Sequence, residues 1–267
     1  MSLLYEDNFI SKNTLLQSQT FMHLFEDTQI INARNLILPA TKLINNCYSS
    51  MFSGCTSLTL APAELPATTL ANNCYVNMFS GCTSLSTAPE LPATTLANNC
   101  YVNMFSGCTS LSTAPELPAT TLANNCYDHM FGGCTSLTTA PELPATKLVY
   151  GCYSNMFNGC TNLNYIKAMF TTTPSTTYTQ NWVKGVASTG TFVKNSAATW
   201  DVTGIHGIPT GWTVEYPAIL YFDDFPNNDD DNIWDEYDDI VARSIEDPEG
   251  MQCNKMKYMG QTIEIDG

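Results

Sequence analysis

The most constraining feature of this chain is a unit of 26 residues that repeats in tandem. Residues 74–99, CYVNMFSGCTSLSTAPELPATTLANN, recur without a change at 100–125. Looser copies begin at Cys47, Cys126 and Cys152, so the leading cysteines step by 27, 26, 26 and 26 residues. The second cysteines (Cys55, Cys82, Cys108, Cys134 and Cys160) keep the same steps. A fixed period of this size predicts a solenoid, in which each turn buries its apolar face only against its neighbours.

Composition narrows the class. With 44% hydrophobic and 13% charged residues, the chain is globular in type and far from a disordered profile. Its formal charge of −15 is uneven: residues 217–267 hold 14 acidic against three basic groups, a net of −11. Such acidity repels phosphate backbones and argues against a nucleic-acid partner. No apolar run approaches the ~18 residues that a membrane span needs. The start, MSLLYEDNFISKNTLL, has neither a basic n-region nor a long apolar h-region and does not read as a signal peptide.

Along the chain, residues 1–20 read as an N-terminal arm and 21–46 as a degenerate capping repeat. Phe21, Leu24 and Phe25 stand one repeat length before Tyr48, Met51 and Phe52, with Thr28 where a cysteine would be. Residues 47–170 hold five regular repeats. Residues 171–216 form a degenerate repeat with a β-rich cap, in which Trp182-Val183 replace Met156-Phe157. Residues 217–267 form an acidic, aromatic C-terminal element. Within a unit, Leu96, Cys100, Met104 and Cys108 recur every four residues beside Tyr101 and Phe105. That stripe predicts a short helix over about 96–105, capped by Thr94 or Thr95 and ended near Gly107. The stretch 110–118, with Pro115 and Pro118, predicts one narrow strand per turn with a break at the first proline. The expected class is an α/β repeat solenoid with one short strand and one short helix per turn.

The core Met78-Phe79-Ser80-Gly81-Cys82-Thr83-Ser84-Leu85 and the Leu-Pro that follows resemble the BspA-like leucine-rich repeats of bacterial and protist surface proteins. That family's usual wording is Ala-Phe-x-x-Cys-x-x-Leu, so Met replaces Ala here, and Pro89 and its equivalents are extra. The resemblance covers roughly residues 21–216. It implies a leucine-rich-repeat-like fold and, loosely, adhesion or recognition.

Several residue sets invite functional reading. Cys100 and Cys108 lie eight residues apart, ~12 Å along a helix and beyond disulfide reach. With only His23, His129 and His206 present and no CxxC spacing, zinc is poorly served. The cysteine columns therefore read as buried small hydrophobes. Glu64, Glu90, Glu116 and Glu142 form an acidic ladder, one per turn. Thr87, Thr113 and Thr139 lie beside it, and Asn77, Asn103 and His129 mark a variable surface position. These ten are the candidate ligand-binding residues. In the tail, Phe222, Phe225, Trp234 and Tyr237 are candidate partner-docking aromatics. Asp223, Asp224, Asp229, Asp230 and Asp231 lack the alternation and distal Glu of a calcium loop. No GxSxG, phosphate-binding glycine loop or HExxH occurs, so no catalytic residue, metal or cofactor is expected.

These features predict a non-enzymatic recognition module that meets a cell-surface protein or glycan through repeated weak subsites. The absence of an export signal, and a likeness to fibre-like proteins of phages infecting gut anaerobes, point to a virion fibre or decoration protein attached to other virion proteins through its termini. The alternatives are a spacer or cement protein in virion assembly and a bacterial cell-surface adhesin. Homo-oligomerisation is left open.

Overall fold

The structure is a computed structural model, which describes residues 14–15, 17–217, 255–258 and 261–264. The chain divides into two units, Met1–Tyr216 and Pro217–Gly267. In the first, each copy of the repeat lies against the next in register, and the contact is made by two backbone segments of different kinds.

The segment that carries the apolar stripe is not a helix, and no α-helix occurs among the described residues. Its four-residue period has another origin. Asn99, Asn103 and Gly107 adopt left-handed φ values of 56°, 54° and 73°. Between them the backbone closes a chain of successive turns: the amides of Val102, Met104, Ser106 and Cys108 bond back to the carbonyls of Asn99, Tyr101, Asn103 and Phe105 at 3.1–3.4 Å. The alternate amides leave the segment altogether. Asn99, Tyr101, Asn103, Phe105 and Gly107 donate to Asn124, Cys126, Asp128, Met130 and Gly132 of the following copy at 2.7–3.0 Å. An α-helix satisfies its amides four residues back within itself. This ribbon sends half of them to its neighbour, so it needs the neighbour to form.

Sequence explains the left-handed positions. Among residues with a side chain, Asn tolerates positive φ best, and glycine pays no Cβ penalty there. The places are filled by Asn73, Asn77 and Gly81, by Asn46, Ser50 and Gly54, and by Asn125, His129 and Gly133 in other copies. In the leading turn, Gln19, His23 and Asp27 take them.

The ribbon turns its every-fourth pairs inward. Tyr48, Tyr75, Tyr101, Tyr127 and Tyr153 form one column of near-parallel rings with centroids 5.6–5.9 Å apart. Phe52, Phe79, Phe105, Phe131 and Phe157 form a second at 5.4–5.8 Å. Phe21 and Phe25 extend the columns at one end, and Trp182 meets both at the other. The ten repeat cysteines are free and buried. The second column has a directional role: the thiols of Cys82, Cys108, Cys134 and Cys160 donate to the carbonyls of Phe52, Phe79, Phe105 and Phe131 in the preceding copy at 3.0–3.1 Å. A small, buried, weakly donating side chain fits that slot.

The opposite segment holds the prolines. Pro89, Pro115 and Pro141 are buried, and pairing around them shrinks to single bridges, such as Thr87↔Thr113 before the proline and Glu64↔Glu90 after it. Among the described residues, continuous strands appear only where the proline is gone. Thr139 pairs with Tyr165, a full period further along, but Leu143 pairs with Ala168, which falls one position short of a period. One residue has been lost, and the stretch lacks proline. There β1 (Tyr165–Ala168) pairs parallel with β2 (Thr191–Lys194), and β2 with β3 (Thr213–Glu215). A missing N–H confines a strand, and its restoration lets the ladder run. In the second unit, β4 (Lys255–Tyr258) pairs antiparallel with β5 (Gln261–Glu264).

The C-terminal end of the first unit is closed by a substitute for another turn. His206 Nδ1 accepts the amide of Asn181 at 2.9 Å, Thr179 Oγ1 donates to the His206 carbonyl at 2.7 Å, and Trp182 Nε1 to the Gly207 carbonyl at 2.9 Å. Nearby, the buried Lys194 ammonium donates to the Trp200 carbonyl and Asp201, with its charge over the Trp200 ring at 5.1 Å.

Two outcomes follow from this backbone. Replacing Asn103 with alanine should destabilise the protein by about 1 kcal/mol, while Asn103→Gly should cost much less, because alanine keeps a Cβ in the left-handed region without the short polar side chain that lets asparagine sit there, whereas glycine has no Cβ; urea midpoints of the two variants check the difference, and equal losses would refute it. The thiols supply the second. Burial raises Cys47 and Cys152 to about 11 and Cys108 and Cys160 to about 12. A thiol in an unfolded chain titrates near ~8.5. The folded value lies above the unfolded one, so this stability is complete below about pH 8.5. It is lost as pH climbs toward 11, by about 1.4 kcal/mol per unit for each thiol. Equilibrium unfolding followed from pH 7 upward should show a steep loss between about 9 and 11, and a flat profile there would contradict the buried columns.

Candidate functional site

The candidate residues fall into three environments, set by which segment carries them. Thr87, Thr113 and Thr139 lie just before the prolines and are exposed. The Thr87↔Thr113 bridge holds two of them in register, and the column continues through Thr139↔Tyr165 and Tyr165↔Thr191 to Thr191↔Thr213. Backbone pairing thus fixes Thr87 opposite Thr113, and Thr139 opposite Tyr165, at the ~4.8 Å spacing of paired strands. Tyr165 departs from the pattern. Burial first, and then the carboxylates of Glu215 and Glu142, hold its phenol above the ordinary value.

The glutamates lie just after the prolines. Glu64 and Glu90 face each other across a bridge, and Glu64, Glu90 and Glu116 are exposed and form no ion pair among the described residues. Glu142 differs. Its Oε2 lies 3.2 Å from Lys167 Nζ, and its Oε1 is buried without a hydrogen-bond partner. Lys167 stands one rung beyond Glu142, beside the Leu143↔Ala168 bridge, so the acidic column ends in a positive charge. Sequence reading at a constant step missed this lysine. The lost residue puts it in register, and the absence of proline from 165–168 was the available signal.

Asn77, Asn103 and His129 belong to the ribbon, away from the proline segment. Their φ values of 55°, 54° and 56° make them backbone-forming positions, and all three are half-buried. The histidine brings a compensating change with it. A Cβ on Gly132 would sit 2.1 Å from His129 Cδ2, whereas Ser80 and Ser106 occupy that place in copies carrying asparagine. Beside it, burial raises the Asp128 carboxyl, against a hydrogen bond from Asn155 Nδ2 at 3.3 Å. The remaining histidines are likewise engaged: His23 Nδ1 meets Glu26 at 2.6 Å, and His206 accepts a backbone amide.

Asparagine also lines the entry to the ribbon. Asn125 Nδ2 donates to Asn99 Oδ1 at 3.2 Å, and the amide of Asn124 to Asn98 Oδ1 at 3.1 Å. Hydroxyls of Thr83, Thr109 and Thr135 donate to the carbonyls of Thr56, Thr83 and Thr109 in the preceding copy at 3.3–3.4 Å. Polar side chains thus tie rungs together as well as facing outward.

Among the described residues, no group of three or more His, Cys, Asp and Glu is placed to hold a metal ion, and no helix is long and apolar enough to cross a membrane. Phe222, Phe225, Trp234 and Tyr237, and the aspartates near them, lie outside the described residues. What the geometry offers is exposed hydroxyls and carboxylates on one segment, with Thr87 held opposite Thr113 and Glu64 opposite Glu90 by backbone bridges. Comparison with protein-family models, curated proteins and solved structures finds no match to this chain.

Proposed function

We propose that this protein is a non-enzymatic recognition module built as a leucine-rich-repeat-like solenoid, which binds a cell-surface protein or glycan through its threonine and glutamate columns. The observation that carries the reading is the pair of exposed sets on one segment, Thr87, Thr113 and Thr139 and Glu64, Glu90 and Glu116, with backbone bridges holding Thr87 opposite Thr113 and Glu64 opposite Glu90. The copies 74–99 and 100–125 each present a hydroxyl and a free carboxylate on the same segment (Thr87 with Glu90, Thr113 with Glu116), flanked by Glu64 on one side and Thr139 on the other, so a polymer with repeating donors meets a like subsite at successive steps. Single subsites of this kind are weak, and several engaged together give avidity. The setting we favour is a phage virion, as a fibre or decoration protein contacting the host surface. Support for that setting is the likeness of the repeat array to fibre-like proteins of phages infecting gut anaerobes. The Gly-Cys-Thr core and its cysteine columns serve packing, which leaves recognition to the proline-flanked segment.

The test reverses the free carboxylates together, as Glu64→Lys, Glu90→Lys and Glu116→Lys, and removes the duplicated turn 100–125 in a second variant. Binding is read on whole bacterial cells and on an immobilised glycan panel. Recognition by the columns predicts at least a tenfold loss for the charge-reversed variant and a graded loss for the shortened one. Unchanged binding in both removes the columns from the argument. Normal binding with failure to assemble into particles would instead favour a spacer or cement role.

A further inference from the structure

The outward face of the three-stranded sheet gathers side chains that the regular copies keep apart. Thr139 pairs with Tyr165 and Leu143 with Ala168, so Ala140, Pro141 and Glu142 stand against only Ile166 and Lys167. One extra residue against the partner makes a bulge, which bends its strand and re-aims its side chains. Here it brings Glu142 beside Lys167, Oε2 to Nζ at 3.2 Å, and the two side chains stay 32% and 23% exposed. Across the sheet Lys167 is followed by Val193 and then by Glu215, which is exposed. Val193, between the two charges, is buried.

Tyr165 stands two residues before Lys167 in β1, and so on the same face. Its own row across the sheet is Thr139, Tyr165, Thr191 and Thr213. A ring flanked on both sides by threonines rises above them, because side chains stand roughly perpendicular to a sheet. Tyr165 is half-buried, while Thr139 and Thr213 are exposed. The carboxylates of Glu215 and Glu142 both act on its phenol, which sets the hydroxyl toward the charged row. One aromatic ring, two carboxylates, an ammonium group and hydroxyls thus share one patch of the sheet.

We propose that this patch is a subsite for a neutral pyranose residue of a glycan, with the C–H face of the sugar on the Tyr165 ring and its hydroxyls on Glu215, Glu142 and Lys167. The subsite rests on the recognition role proposed above and narrows the ligand there to a glycan. The chemistry of the patch selects that occupant. A sugar hydroxyl both donates and accepts, so it serves carboxylates that only accept and an ammonium that only donates. An acidic sugar would meet two carboxylates against one lysine. A free amine would meet the Lys167 charge between them. A peptide strand adds to a sheet at its edge, through backbone hydrogen bonds, and not on this face. A pyranose has an apolar face edged by hydroxyls, which matches an aromatic ring edged by polar side chains. Position agrees with chemistry: Thr139, an exposed hydroxyl of the proposed binding segment, pairs directly with Tyr165, so a glycan lying along the threonines reaches this ring next.

The test is saturation-transfer NMR on the full chain with soluble tetrasaccharides of glucose, galactose, mannose and N-acetylglucosamine, and with oligoglucosamine and oligogalacturonate as charged counterparts. At least one neutral tetrasaccharide should bind; Tyr165→Ala should weaken it by about tenfold or more, while Tyr165→Phe keeps it within about twofold. Should Tyr165→Ala fold poorly by near-ultraviolet circular dichroism, Glu215→Ala at its exposed position serves instead and should weaken binding about fivefold. Reversal of Glu64, Glu90 and Glu116 should leave tetrasaccharide binding unchanged. Cell binding lost on that reversal, with no neutral tetrasaccharide bound, would overturn this subsite and leave the columns standing. Tyr165-dependent tetrasaccharide binding, with cell binding indifferent to the reversal, would uphold the subsite and remove the columns. Preference for either charged oligosaccharide, or binding unmoved by both Tyr165→Ala and Glu215→Ala, would also overturn it.

Discussion

The interaction on which everything else rests is the amide that leaves its own copy. In the ribbon over 99–107, five N–H groups bond to the next copy and four bond locally. A net intramolecular hydrogen bond is worth about 1 kcal/mol, but an orphaned buried amide costs about 1–3 kcal/mol. A lone copy would forfeit both sets of terms, so a copy has no stable fold except between neighbours. The aromatic columns enforce the same rule. A ring pair at 5.4–5.9 Å contributes about 0.5–1.5 kcal/mol beyond area burial, and each ring needs the next copy to supply its partner. Register follows, because a slip by one residue would set left-handed asparagines against right-handed neighbours and break every alternate amide.

The two faces of the repeat answer the backbone's needs in opposite ways. On the ribbon, asparagine and glycine supply φ values that let alternate amides turn outward. On the other segment, proline withholds an amide and keeps pairing short. The first change from this pattern, the loss of one residue and its proline between Thr139 and Leu143 on one copy and Tyr165 and Ala168 on the next, yields a regular parallel sheet. The sheet then carries Phe192 against Trp182 and Trp200, aromatics that close the core where the tyrosine and phenylalanine columns stop. Termination is thus written as a restored hydrogen-bonding strand plus larger rings, and His206 completes it by offering an imidazole nitrogen where the next copy would offer a carbonyl.

Much of this was legible in the residues and one part was misread. The repeat step, the columns it implies and the breaks at proline are all direct consequences of spacing. The helix was the error. A four-residue apolar period lies close to the 3.6 of an α-helix, and over the three intervals from Leu96 to Cys108 the two drift apart by only about one residue. The discriminating signal was on the other side of the stripe: Asn99, Asn103 and Gly107, also four apart, are poor helix formers and the best occupants of left-handed φ. Asn73, Asn77 and Gly81 repeat it. Lys167 and His206 were hidden for a different reason. Both act by standing in for an element of a regular copy, and a constant step cannot find a residue whose register has shifted.

A surface made this way has properties that an ordinary loop site lacks. Thr87 and Thr113 are opposite each other because the backbone pairs there, and Glu64 and Glu90 for the same reason. Neither pair needs its own packing to be positioned, so the sequence of the exposed rungs is free to change while the ribbon, with its cysteines and rings, holds still. The carboxylates repel weakly at such spacing in water, by about 1 kcal/mol or less, and that cost is met by the ladder beneath them. The column stops being acidic where Lys167 faces Glu142, which is also where the proline disappears and the sheet begins. The same lost residue therefore ends both the irregular pairing and the run of free carboxylates, so the length of the acidic face is set by the backbone register and not by the choice of surface charges alone.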